Sequence, residues 1–413
     1  NDDPEDTTIG KEFTLKIFEA FSIERWNDLV RPFEIIEMDK HAEKTVVAYI
    51  IAKYEENLGA KIDWEWLIYA SLFDLLRKIQ LCDIKSPVQT LIKNEYPEEY
   101  ARLNDWVLER YKDLIDDKEL YKKFEFYLKD LSSFSAEKKE LPLTVKIFRA
   151  AHKYSTLREL EMISPVNETE RLDSIRKELN ADLQKYLDLR GLQLLITKQK
   201  PFDFLMRIEQ LRFQTRWNQT PRVPRTSVLG HCFFVAILTL LLCRDSGVKM
   251  CAKRLYNNFF SGLFHDLPES VTRDIISPVK RATDGLPAIV KDIEDKIVSK
   301  ELVPLMEKFY CDEILYFTSD EFMNRCVFDG CVLPVSFEEL NSAFNEDKYN
   351  PVDGRLVRVA DHYSALLEAG LSIRYGITSQ QLTDGKANLL KVYDDGKIIN
   401  GIDAKKLFHE FID

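Results

Sequence analysis

From Tyr100 to Lys129 the chain runs without a single Gly or Pro, and this limits its fold more than any other feature. Strand-rich folds need frequent Gly and Pro at their turns. A sequence that omits them over such a length, and is rich in Leu, Glu, Lys and Ala, favours helix. Only 14 Gly and 15 Pro occur in 413 residues, so the same reading extends to the whole chain. The expected fold class is all-α. At 45% hydrophobic the chain can bury sizeable cores, and its length suits two or three domains. Residues 1–163 read as one helical block. Residues 164–200 open on Ser164-Pro165 and continue as the charged, helix-period run Glu168–Leu195, expected to be a connector helix. Residues 201–413 form a second helical block.

The two blocks resemble each other. Arg25-Trp26-Asn27 answers to Arg216-Trp217-Asn218, and each triplet is followed by a His, His41 and His231. Leu72-Phe73-Asp74 answers to Phe264-His265-Asp266. Asp83-Ile84-Lys85-Ser86-Pro87-Val88 answers to Asp274-Ile275-Ile276-Ser277-Pro278-Val279, and Ala150-Ala151-His152 to Ala360-Asp361-His362. Matches in one order at similar spacings point to an internal duplication, hence two tandem domains.

The net charge is −11, with no basic stripe of the kind that neutralises a nucleic-acid backbone, so nucleic acid is not an expected partner. Seven Cys, an odd number with no CxxC pair, read as reduced thiols in a cytoplasmic protein. The acidic stretch Asn1–Thr8 does not read as a signal peptide. The longest apolar run, Cys232–Cys243, is short for a bilayer and fits a buried core helix, so no membrane partner is expected.

Chemistry concentrates in the second block. His265 and Asp266 end an apolar helical run, where an imidazole nitrogen and a carboxylate oxygen can face one cation. His231 opens the apolar helix Cys232–Leu242; alone it would read as a cap or a satisfied core group. Asp361 lies on the apolar face Leu356–Ala360, where a carboxylate is costly unless it is paired or binds metal. Its plainer explanation is a salt bridge to Arg358. Together the four residues make a mixed, fairly hard ligand set. It suits one divalent metal per chain (Mn, Co, Fe, Ni or Zn) with open positions for water and a phosphate oxygen. Such a metal lowers the pKa of bound water. Arg216 offers a planar fork for phosphate. Glu269, three residues after Asp266, lies one helical turn on and can reach the same water.

The order His…His-Asp…Asp on separate apolar helices resembles the HD superfamily of metal-dependent phosphohydrolases. Arg216-Trp217, the gap to His231, the run from His265-Asp266 through Glu269 and Asp274 to Lys280, and Val359-Ala360-Asp361 closely resemble its bacterial 5′-deoxynucleotidase (YfbR-like) branch. That resemblance implies an all-helical fold and metal-dependent cleavage of (deoxy)nucleoside 5′-monophosphates. It also implies that Arg216 grips phosphate, that Glu269 and Asp274 serve proton transfer or sugar contact, and that Trp217 lies near the deoxyribose; Lys280 joins the substrate-binding set. Enzymes of that branch are expected to pair as dimers. A duplicated chain can therefore form a pseudo-dimer within itself, and further homo-oligomers are compatible with this. The alternatives are an HD phosphohydrolase acting on nucleoside triphosphates or alarmones, and a non-catalytic nucleotide sensor. In the first block Phe73 stands for His265, Ala151 for Asp361 and Arg77 or Lys78 for Glu269, while His41 and Asp74 remain. This block reads as a degenerate copy without a catalytic metal.

Overall fold

The Gly- and Pro-poor runs are helices in the computed structural model of the chain, which describes residues 7–133, 140–273 and 275–412. The first block holds α1 (Lys11–Phe18), α2 (Glu37–Asn57), α3 (Trp64–Leu81), α4 (Ser86–Glu95), α5 (Pro97–Arg110), α6 (Lys118–Ser133) and α7 (Leu143–Ile163). Next come α8 (Thr169–Gln184) and α9 (Arg190–Ile196). The second block begins with α10 (Lys200–Phe213), α11 (Val228–Asp245), α12 (Ala252–Phe264), α13 (Glu269–Thr272), α14 (Ser277–Lys280), α15 (Leu286–Ile297) and α16 (Lys308–Thr318). It ends with α17 (Phe337–Ser342), α18 (Gly354–Arg374), α19 (Gln380–Lys391) and α20 (Ala404–His409). The start signals are local: Asp63 and Ser227 accept backbone N–H bonds at the heads of α3 and α11, and Pro occupies the first turn of α4, α5 and α10. The fold is all-α. A small antiparallel sheet of order β2-β1-β3 accompanies the helices, built from β1 (Asn324–Phe328), β2 (Cys331–Pro334) and β3 (Val352–Asp353). Asp329 and Gly330, with φ of 48° and 74°, supply the left-handed pair that a two-residue hairpin turn requires.

The connector differs from its expectation. It comprises two helices, because the chain turns between Gln184 and Arg190. The turn lets Leu189, Leu192 and Leu195 bury themselves beside α2. A Cβ on Gly191 would stand 2.8 Å from the Ile51 Cα, so only Gly permits that approach.

One hydrophobic core runs from Ile9 to Phe411 and draws on both blocks. At its centre α2 packs on α11. Every residue from Glu37 to Tyr54 and from Val228 to Cys243 is buried. α11 is long and apolar enough by length and composition to cross a membrane, yet it lies inside the core. α7 covers α2, while α12 and α18 cover α11. The first helix of each block reaches across. Thr14 of α1 meets Tyr363 of α18 (Oγ1 to Oη 2.8 Å), and Phe18 stacks edge-on against Phe234 of α11. In return, Arg212 of α10 enters the first block to pair with Glu43 and Glu159.

The turn before each central helix is the same. Glu24 bridges Ile36 as Thr215 bridges Ser227. Arg25 N–H donates to Ile35 O at 2.7 Å, and Arg216 N–H to Thr226 O at 2.8 Å. Trp26 and Trp217 both take a left-handed conformation, φ 57° and 54°, which is strained for a bulky side chain.

Candidate metal centre

Ser227 caps α11 and starts the helix so that its fourth residue, His231, points inward. α12 crosses α11 at Gly262, where a Cβ would lie 2.8 Å from the Ala236 Cα. This close approach sets the His231 and His265 rings 5.4 Å apart. Asp266 follows directly, and α18 brings Asp361. One ligand atom from each of the four lies within 4.8 Å of every other, and this is the one such group among the described residues. His231 Nε2 is 2.9 Å from Asp361 Oδ1. His265 Nε2 is 3.2 Å from Asp266 Oδ2 and 3.4 Å from Asp361 Oδ1.

The outer contacts orient these atoms. His265 Nδ1 sits 2.6 Å from the Gly262 carbonyl, which can only accept, so Nδ1–H donates and Nε2 is the nitrogen turned towards the carboxylates. That Nε2 is buried and makes no hydrogen bond, despite the nearby carboxylates. His231 Nδ1 contacts Ser364 Oγ at 3.0 Å, with Glu368 Oε1 at 3.4 Å. The imidazoles are fully buried, whereas Asp266 and Asp361 keep 20% and 18% of their side chains accessible, so the cluster is reached from the carboxylate side. Burial opposes ionisation of Asp361, yet His231 and His265 hold its carboxyl well below the usual range. Burial likewise opposes charge on His265, but Asp266, Cys232 and Asp361 hold its imidazole well above its ordinary value. The cluster therefore favours positive charge in its midst, and an orphaned buried imidazole nitrogen beside two carboxylates fits a divalent cation.

Asp361 combines both of its sequence readings: Oδ1 faces the imidazoles and Oδ2 pairs with Arg358 Nη1 at 3.3 Å. Arg216 lies in the field of Glu368, Asp361, Asp266 and Glu269, which raises its pKa although burial opposes this. Its Nε donates to Glu368 at 3.2 Å, while its two Nη groups donate to no acceptor among the described residues. Glu269 heads α13, which is tied to the end of α10 by a Gln214 Nε2 bond to the Glu269 carbonyl at 3.0 Å. Trp217 packs on Gly385 of α19 and, with Arg216 and Arg222, lines a surface cavity of about 630 Å³. Lys280 ends α14, where its charge acts on Glu294. Asp274 lies outside the described residues.

Ser364 and Glu368 were missed from sequence. Their signal was the spacing 361, 364, 368, which places three polar residues on one face of the helix, among buried apolar side chains. Glu368 accepts from Arg216 and Thr226 and sits 3.4 Å from Arg222, so one carboxylate ties the turn to the ligand helix.

The first block repeats these outer contacts with different residues inside. Arg25 Nε donates to Glu159 at 2.9 Å, and Arg25 Nη1 to Glu37 at 3.2 Å. Lys40 Nζ donates to Ser155 Oγ at 2.6 Å and to the His152 carbonyl at 2.8 Å. Counted from the two similar turns, these contacts pair residues one place away from the sequence alignment at two positions. Lys40, the fourth residue of α2, occupies the place of His231, and not His41. Ser155 and Glu159 match Ser364 and Glu368, so His152 stands where Asp361 does, and not Ala151. Alignment by residue type could not see this, because a His next to the right position looked like the better match. Phe73 stacks on Phe124 at 5.2 Å, and Asp74 is held by Lys44.

Two imidazoles and two carboxylates on three core helices, open on one side, form a group that could hold a divalent metal. Residues 208–390, which span all four ligands, match the family model described as the HD domain. HD domains are typically metal-dependent phosphohydrolases. No curated protein gives a significant match to the chain.

Proposed function

We propose that this chain hydrolyses the phosphomonoester of a (deoxy)nucleoside 5′-monophosphate at the cluster of His231, His265, Asp266 and Asp361. A divalent cation bound there would supply a Lewis acid and make a water acidic enough to lose its proton near neutral pH. The remaining chemistry belongs to side chains. Gly262, Ser364 and Glu368 fix the two imidazoles so that Nε2 of each faces inward. Glu269 is the proton acceptor at the head of α13. Arg216 takes the phosphate on its two Nη groups while Glu368 holds its Nε.

The observation that carries this reading is the contrast between the two arginines. Arg25 spends its fork on Glu159 and Glu37, whereas Arg216 binds one carboxylate and, among the described residues, leaves the rest of its fork for an anion. The two blocks form a pseudo-dimer, the first being a copy that has lost its metal. In support, the turns match bond for bond. The matching positions Asp39 and Gly230 also meet between α2 and α11, as residues beside a two-fold axis do; a Cβ on Gly230 would be 2.5 Å from Asp39 Oδ1. The test is phosphate release from a panel of nucleotides with Mn, Co, Fe, Ni or Zn. Release of inorganic phosphate from deoxynucleoside monophosphates is expected. Release of pyrophosphate or triphosphate instead would replace the proposed substrate, and binding without turnover would make the protein a sensor.

A further inference from the structure

We infer that the first block holds a second nucleotide site, one that uses side-chain cations in place of a metal and binds without hydrolysing. The site is a cavity of about 250 Å³. It lies where the metal centre lies in the second block, since Asp74 and His152 on its wall occupy the positions of Asp266 and Asp361. Its charge is reversed. Among the described residues, Lys44, Lys78, Lys93, Arg149 and Lys153 line it against two carboxylates, Asp74 and Asp130. Asp74 is already engaged by Lys44, and Lys153 by Asp182 at 3.0 Å. Lys78 and Lys93 make no ion pair among the described residues.

Half-buried ammonium groups crowded by like charge are costly, and the cost shows in their acidity. Burial, then Arg149 and Arg77, push Lys93 down to about 8. Burial also lowers Lys78 to about 8, with Arg77 adding to it and Asp74 opposing. An anion in the cavity relieves that repulsion. Phosphate is the anion whose several oxygens suit several separate ammonium donors.

The rest of the wall is aromatic. Trp66, Tyr127, Phe148 and Tyr186 line it, with Trp66 edge-on to Phe148 at 5.6 Å. Planar apolar faces beside a cationic floor match a nucleobase carried by a phosphate, since stacking on an aromatic side chain is favourable for any base. The volume is near the lower end for small-molecule sites, roughly 300 Å³, which admits a mononucleotide and not a dinucleotide. Hydrolysis is not expected. Lys40 takes the place of His231, its amine already bonded to Ser155 Oγ and the His152 carbonyl, so no imidazole stands where a ligand for a water-activating cation is needed.

The decisive measurement is calorimetric titration of the full chain, in excess chelator, with dAMP and separately with inorganic phosphate. dAMP should bind once per chain. That binding should survive Asp361→Ala and weaken tenfold or more in Lys78→Gln and in Lys93→Gln. Inorganic phosphate should bind at least tenfold more weakly than dAMP. Lys93 is half-exposed, so its variant decides the matter should Lys78→Gln fail to fold cooperatively. The inference is overturned if no chelator-resistant binding occurs, or if binding follows Asp361→Ala and ignores both lysines. Equal affinity for bare phosphate would overturn the nucleotide assignment. The result is independent of whether the second block proves to be a nucleotidase, because turnover is read in a separate assay.

Discussion

Arg25 and Arg216 leave the same strained turn, start from the same backbone bridge, and each meet a fully buried glutamate. What surrounds them differs. Around Arg216 lie two imidazoles and two carboxylates with a buried nitrogen left over. Around Arg25 the corresponding places hold Lys40 and His152, and Glu37 fills the fork. The shared part is the scaffold: the bridge, the Trp, and the Ser-and-Glu face of the covering helix. The divergent part is the small set of atoms that touch a ligand. A framework of this kind is kept by packing, because Glu159 and Glu368 each neutralise two arginines, while the residues inside it can change charge sign.

The sharpest way to break the comparison is to remove one inner residue from each site. Asp361→Ala should cost more than about a hundredfold in phosphate release, beyond the loss caused by removing an outer partner of a metal ligand. Metal content by elemental analysis should fall with it. His152→Ala should leave metal content unchanged, and stoichiometric metal held by the first block would end the asymmetry. Glu269→Gln should slow turnover by about a hundredfold or more with metal retained, since it removes a proton acceptor but keeps its shape.

The scaffold glutamates should behave alike in stability and differently in activity. Glu159→Ala strands Arg25 and Arg212; Glu368→Ala strands Arg216 and Arg222. Breaking such buried pairs costs about 3–5 kcal/mol, readable in denaturant melts. If Glu159→Ala proved neutral, the matched scaffold would be a coincidence of drawing.

Asp39 and Gly230 give a pH test of the central contact. Burial pushes the Asp39 carboxyl up to about 6, with Arg212 and the Ser227 hydroxyl only partly opposing it. A raised carboxyl favours the folded state only while protonated. Stability should therefore decline from about pH 4 to pH 6 and carry the full cost above that, about 3 kcal/mol at most. Asp39→Asn should melt higher than the parent at pH 8 and no higher at pH 4. An identical gain at both values would trace the effect to packing alone.

Arg216→Ala sharpens the comparison least violently. A charge-assisted phosphate bond is worth about 1.5–3 kcal/mol, so kcat/KM should fall about tenfold to somewhat over a hundredfold while metal stays bound. Unchanged efficiency would make Arg216 a purely structural twin of Arg25.

Much of this was legible in the sequence. The helical class followed from sparse Gly and Pro, and the four clustered residues followed from polar groups set on apolar helices. The hairpin at Asp329-Gly330 was missed although its turn residues announce it. The break between α8 and α9 was hidden because a charged helical period continues through it; only Gly191 against Ile51 betrays the change of direction. The lysine at position 40 was hidden for a deeper reason. Residue type suggested a surviving His, whereas position along a helix is fixed by hydrogen bonds that a sequence does not display.

The exchange of first helices also orders events in time. Thr14 and its partner Tyr363 are separated by 349 residues, so α1 is synthesised long before its seat on α18 exists. Until then its apolar side chains are covered only on the side that meets α3 and Phe21, and the side that meets α11 and α18 stays bare. Contacts this remote close slowly. The newborn first block must therefore wait with an open flank while the second is made, and a chaperone that shields that flank would speed maturation of both.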